Sequence, residues 1–256
     1  SVNLTLIASG STVNISEDFS WDGITGDTND TGDIGEVNIS TVDGGTLTLN
    51  VNADQDAVTH ADTTFASVTD LTGAATITIN SKNSDSNDIV NDLAALGLDN
   101  DETQTLVVAA EDSAGLDIGN VTNAAALQSF TFSSAAGAAS IMGTMITATS
   151  LDTLALSSTG SASSLTVGAI GGTGTAALQS LTISAGGSST TTTAAITSSG
   201  ASAMTSATVT ATGANSVAAI GGALNMGTST IASFGITVAD NWRLTTSFTG
   251  DADPIA

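Results

Sequence analysis

Cationic side chains are nearly missing from this sequence. Lys82 and Arg243 are the only Lys and Arg, His60 is the only His, and there is no Cys and no Tyr. Acid–base and nucleophilic chemistry draws mainly on those side chains, so any catalysis would fall to carboxylates. With 25 Asp and Glu the formal charge is -23. Such a chain repels nucleic acid phosphates and anionic membrane surfaces, which are normally met by clustered Lys and Arg, so neither is expected as a partner. Without Cys there is no disulfide framework and no thiolate metal site. No apolar run approaches the roughly 18 to 20 residues that a membrane span requires, and no membrane insertion is expected. Residues 1–10 lack the basic and apolar regions of a signal peptide, and a mature, processed chain starting at Ser1 would explain the missing Met.

The acidic residues are concentrated in one half. Between Glu17 and Asp117 lie 21 of the 25, and residues 153–239 contain no Asp, Glu, Lys or Arg. Exposed surface is ordinarily about 25 to 35% charged. An uncharged stretch of this length is therefore disordered, glycosylated on Ser and Thr, or covered by neighbouring copies. The charge map divides the chain into an N-terminal strand pair and acidic loop over 1–45 that caps or docks, an acidic irregular solenoid over 46–120, an uncharged regular solenoid over 121–239, and a C-terminal cap or contact segment over 240–256.

Periodicity argues against disorder. The phrase L-x-[ST]-φ-x-φ occurs at 127–132, 151–156 and 178–183, with weaker copies at 204–209 and 231–236, in steps of 24, 27, 26 and 27 residues. Alternation of apolar residues puts two side chains on one face of a strand and turns the small polar residue outward. A second apolar cluster follows each phrase by half a period, at 141–146, 165–170, 196 and 217–220. Each repeat thus holds at least two short strands joined by Gly/Ser/Thr turns, and it is stable only when stacked on its neighbours. Segments 46–51, 75–80 and 105–109 continue the ladder into the acidic half. Residues 2–6 and 13–15 read as a strand pair around Ser9–Ser11. Ile89, Leu93 and Leu96 fall at helical spacing between an Asp/Ser cap and Gly97, which predicts one short helix near 86–97. The expected fold is all-β, a parallel β-solenoid of about eight irregular coils of 24–30 residues, with a β-sandwich as the alternative.

The period and the L-x-x-φ-x-φ phrase are similar to leucine-rich repeats, although the Asn expected after the strand is missing from every clear copy. The Ala/Thr/Ser/Gly texture over 47–238, with its Leu-x-Ser-Leu-Thr-Ile phrase and scarcity of Lys and Cys, resembles bacterial S-layer and related secreted β-solenoid surface proteins. That resemblance implies an extracellular lattice at the cell surface, often held together by calcium.

Residues 21–36 offer the strongest metal candidate, because hard divalent cations want several oxygen ligands on one loop and Asp22, Asp27, Asn29, Asp30, Asp33 and Glu36 supply them. The spacing from Asp27 to Gly32 opens like an EF-hand, but Asn38 stands where the bidentate Glu belongs. A solvated acidic loop is the alternative. Asp54/Asp56, Asp85/Asn87/Asp88 and Asp99/Asp101/Glu102 read as caps or turns. Lone His60 reads as a surface imidazole, and Trp21 and Trp242 as core packing. Asn3, Asn14, Asn29, Asn38 and Asn120 begin Asn-x-Ser/Thr triplets. The Thr run at 190–193 would bind ice only with Thr-x-Thr repeated in register on successive coils, and no such register is visible in the sequence. The leading expectation is a non-catalytic extracellular protein that assembles with copies of itself into a surface layer or filament, through uncharged solenoid faces and termini, with calcium in the acidic half. An adhesin or phage-fibre-like module binding a cell-surface glycan is the rival, and a carboxylate-based glycan hydrolase stands third.

Overall fold

The computed structural model describes residues 2–18, 35–54, 66–81, 90–110, 115–135, 137–145, 147–171, 178–197, 204–225, 234–238 and 247–249. The chain winds in stacked coils. The first contains β1 (Val2–Ile7) and β2 (Ser11–Asp18), and in the next two a single bent strand runs over both sides, β3 (Gly35–Asp54) and β4 (Ala66–Ser81). Pairs of strands follow: β5 (Val90–Gly97) and β6 (Thr105–Ala110), β7 (Gly115–Thr122) and β8 (Ser129–Ser134), β9 (Ala139–Met142) and β10 (Thr153–Thr159). Later windings add a short third strand. They comprise β11 (Ser164–Val167), β12 (Ile170–Gly171) and β13 (Ser180–Gly186), then β14 (Thr190–Thr193), β15 (Ile196–Thr197) and β16 (Ser206–Thr212), then β17 (Val217–Ile220), β18 (Ala223–Asn225) and β19 (Phe234–Val238), with β20 (Ser247–Thr249) last.

Every strand pairing among the described residues is parallel. The long ladder joins β2, the second halves of β3 and β4, then β6, β8, β10, β13, β16 and β19. A second ladder joins β1, the first halves of β3 and β4, then β5, β7, β9, β11, β14 and β17. The short third ladder is β12, β15, β18 and β20. Parallel neighbours require the chain to return through a crossover, which here is the rest of the coil. The expected parallel solenoid is therefore the fold, and a sandwich, whose sheets are antiparallel, is not. The coil count departs slightly from the sequence expectation. Among the described residues the long ladder has nine strand segments instead of eight rungs, because β2 joins it through unbroken pairing from Ser11↔Leu47 to Asp18↔Asp54.

Alternation along each strand builds the core. Leu47, Ile77, Leu106, Phe130, Leu154 and Leu181 stack as one inward column and Leu49, Ile79, Val108, Phe132, Leu156 and Ile183 as the next, all essentially inaccessible. The Phe130 and Phe132 rings lie 6.4 Å apart at 56°, within the range in which aromatic pairs attract. Ala207 and Val209 take the corresponding inward positions near the other end.

The short helix near 86–97 is not formed. Residues 82–89 lie outside the described residues, and Val90–Gly97 is strand β5. The three-residue spacing that suggested a helix comes from a bulge: Ala66 pairs with Leu93 but Ser67 with Ala95. The extra residue lets Leu93 and Leu96 both face inward, and both are fully buried. The same three-residue step recurs where later coils turn toward the third ladder, at Ile118/Val121, Met142/Met145 and Val167/Ile170, all buried.

At the other corner, buried hydroxyl groups take over from apolar ones. Ser158 Oγ lies 2.9 Å from Ser189 Oγ and 2.7 Å from Thr191 Oγ1. Ser189 Oγ donates to Ser158 O at 2.8 Å and Thr191 Oγ1 to Ser184 O at 2.6 Å. Ser163 and Ser216 repeat one device, each donating to a carbonyl four residues back, Thr159 O and Thr212 O, at 2.7 Å. Each also accepts from the preceding coil, from Gly137 N at 2.9 Å and Ser188 N at 3.1 Å. Buried polar groups carry little penalty when paired in this way.

Successive coils approach closely at the bend after the second ladder. A Cβ on Gly168 would stand 2.5 Å from Gly143 O and 2.7 Å from Gly143 C, backbone atoms that the ladder holds in place. We expect Gly168→Ala to lower stability by about 1–3 kcal/mol, as overpacking does. Gly235→Ala, whose methyl meets nothing nearer than Thr208 Oγ1 at 3.9 Å, leaves stability unchanged or slightly raised. Urea unfolding of the two variants beside the parent chain measures both.

Candidate functional site: an uncharged hydroxyl face

The outward side of the long ladder is built by the same alternation that builds the core. One outward column contains Thr46, Thr76, Thr105, Ser129, Thr153, Ser180 and Ser206. Two residues further along, Thr12, Thr48, Thr78, Val107, Thr131, Ala155, Thr182 and Thr208 form a second. A third runs Asn14, Asn50, Asn80, Ala109, Ser133, Ser157, Ser184 and Thr210. None of these residues is charged. No register shift interrupts the ladder between β6 and β19, so the columns run straight.

Hydrogen bonds tie this surface together along the solenoid axis. Asn50 Nδ2 donates to Asn14 Oδ1 at 2.9 Å, and Asn80 Nδ2 to Asn50 Oδ1 at 3.0 Å. Ser180 and Ser206 place their hydroxyl oxygens 3.3 Å apart. On the second ladder, Asn38 Nδ2 donates to Asn3 Oδ1 at 3.0 Å. The amides of Asn50, Asn80 and Asn38 thus act as rungs between coils.

The sequence did not reveal this register. Around 190–193, Thr191 and Thr193 are buried, and the half-buried Thr190 and Thr192 pair only with Ser164 and Thr166 of the preceding coil, giving way to Val217 and Ala219 on the next. The repeated hydroxyl pairs lie on the long ladder, as Thr46/Thr48, Thr76/Thr78, Ser129/Thr131, Ser180/Thr182 and Ser206/Thr208. Their signal was present in the third and fifth positions of the repeat phrase, once Ser is counted with Thr.

The acidic candidates lie elsewhere. Asp22, Asp27, Asn29, Asp30 and Asp33 lie outside the described residues, as do Trp21, Asp56, His60, Asp85, Asn87, Asp88 and Trp242. Glu36 lies in β3, its backbone paired with Ser67. Asp99 serves a turn: its Oδ2 accepts from Gly73 N and its Oδ1 from Asp101 N, both at 3.0 Å, while Asp99 N donates to Thr103 Oγ1 at 3.2 Å. Among the described residues no three His, Cys, Asp or Glu side chains come together as a metal site. Asp43 lies within β3, Asp101, Glu102 and Asp152 in turns between strands, and the backbones of Asp92 and Asp117 pair on the second ladder.

Asn50 is the middle rung of the amide ladder, so Asn50→Ala removes both of its bonds. The expected cost is about 1–3 kcal/mol at two modest hydrogen bonds, read as a lower Tm or urea midpoint, with Ser157→Ala in the same column much milder. Comparison with known protein families, with curated proteins and with solved structures finds no match to the chain, so the reading of its function rests on the face itself.

Proposed function

We propose that this chain is a non-catalytic extracellular structural protein that assembles with copies of itself into a surface layer or filament, stabilised by calcium. One observation carries the reading: three straight outward columns of Ser, Thr, Asn and Ala with one Val, none of them charged, on a chain whose formal charge is -23. A solvated monomer of this charge has no need of such a face, whereas copies that must touch do. Charges on two approaching copies repel over about 8–10 Å at ordinary ionic strength. Neutral faces allow contact where that repulsion is least.

The acidic half supports the calcium part of the reading. Asp22, Asp27, Asn29, Asp30, Asp33 and Glu36 supply hard oxygen donors within one short stretch, the donor set that calcium prefers. A bound divalent ion there would also reduce self-repulsion among crowded carboxylates. The mechanism is mechanical: calcium steadies the acidic end, and neutral surfaces hold copies together. The scarcity of Lys, Arg, His, Cys and Tyr supports the absence of catalysis.

Electron microscopy with and without a chelator tests this. Ordered sheets or fibres are expected in millimolar calcium, and their loss on adding EGTA. Monodisperse monomers in millimolar calcium would overturn the proposal.

A further inference from the structure

We infer that the hydroxyl face of the long ladder is a two-fold interface between two copies of this chain, packed face to face with their solenoid axes antiparallel. This rests on the self-assembly reading and adds to it a surface, a symmetry and a direction. Three observations on the molecule carry it.

The first is size. Nine strand segments at about 4.8 Å spacing, each offering five residues of about 3.3 Å rise, make a flat patch of roughly 700 Å² in projection. A standard interface removes about 800 Å² of accessible surface from each partner, and side chains make the accessible area of a patch larger than its projection. One whole face is therefore the size of an ordinary stable contact.

The second is shape. The pairing from β6 to β19 has no register shift, and the outward side chains are short: Ser, Thr and Ala, with Val107 and three Asn. Two such sheets can approach closely and interdigitate, with Thr methyl groups meeting between hydroxyl pairs. Long or charged side chains would hold them apart.

The third is charge, and it decides the direction. Two face-to-face arrangements obey two-fold symmetry. In one the axes run parallel, and the acidic half of each copy lies beside the acidic half of the other. In the other the axes run antiparallel, and the acidic half, with 21 of the 25 carboxylates, lies beside the uncharged half, residues 153–239. Only the second separates the two acidic halves. The two-fold axis then runs parallel to the strands and passes near Thr131 on β8, the middle segment of the ladder, so that Thr48 on β3 faces Thr208 on β16.

The chain has no Cys, so engineered thiols report directly. Thr48→Cys and Thr208→Cys are prepared singly in the full chain, mixed under assembly conditions, and treated with oxidant or a short bismaleimide. The inference expects a Thr48–Thr208 crosslink in the mixture, little crosslinking of either variant alone, and self-crosslinking of Thr131→Cys. It also expects Thr131→Lys to convert face-paired dimers to monomers with an unchanged circular dichroism spectrum, while Thr166→Lys on the second ladder does not. Self-crosslinking of Thr48→Cys alone would overturn the antiparallel direction. Assembly without crosslinks from any of the three positions would overturn the interface while leaving self-assembly standing. Absence of any assembly would remove the reading on which it rests. Monomers that show thermal hysteresis in freezing, lost in Thr131→Lys, would assign the face to ice and overturn the inference.

Discussion

In-register parallel stacking is the constraint on which the rest of this structure depends. When one coil lies on the next without slip, each position in the repeat becomes a column running along the solenoid, and whatever occupies it meets its like at about 4.8 Å. Inward columns must be apolar or hydrogen-bonded to themselves. Leucine, isoleucine and phenylalanine satisfy the first condition in the two central columns. Ser158, Ser189 and Thr191 satisfy the second at the corner, where the hydroxyls bond one another and the carbonyls of their own turns. Bends must also fit the repeat, which is why Gly168 lies where any Cβ would strike Gly143 of the preceding coil.

The same constraint limits charge. Two carboxylates at about 4.8 Å repel by about 0.9 kcal/mol even at the dielectric constant of water, and more beside a protein surface. A column of them would accumulate that cost at every step. On the long ladder the acidic half places Asn14, Asn50 and Asn80 in one outward column, side chains that bond head to tail along the stack. Among the described residues, in-register Asp–Asp pairs occur at single steps, Asp18 with Asp54 on the long ladder and Asp92 with Asp117 on the second, while the Asp99 carboxylate stands in a turn and accepts from the backbone N–H groups of Gly73 and Asp101.

Much of this was legible in the sequence because stacking makes position in the repeat, and not residue identity alone, the unit of information. The phrase L-x-[ST]-φ-x-φ showed both its inward pair and its outward small residue, and Leu154/Leu156 with Ala155 between them have that arrangement. The bulge in β5 was not legible, since Leu93 and Leu96 at a three-residue spacing fit a helix as well as a strand with one extra residue, and only the pairing partner distinguishes them. The outward array was hidden for a different reason. Thr and Ser are interchangeable in a hydroxyl column, and Val107 and Ala155 interrupt it, so that counting identical Thr-x-Thr pairs overlooked a pattern that pairing reveals. The calcium candidates at 22–33 lie outside the described residues, and their reading still rests on donor chemistry.

Neutrality of the outward face and the size of the residues on it have separable causes. Solubility would be served by Lys or Glu there, and β-propensity by Val, Ile or Tyr. Charge is absent from the three outward columns described above in both halves of the long ladder, although Asp18 pairs with Asp54 at the ladder's margin and the sequence around the columns is acidic in one half and neutral in the other. Electrostatics of the stack alone would explain the first half, where carboxylates are abundant and would repel, but not the second, where none is present to avoid. What the two halves share is the demand for short, uncharged side chains over the whole length of one face. That demand is met by a flat contact spanning all the coils, and not by one at either end.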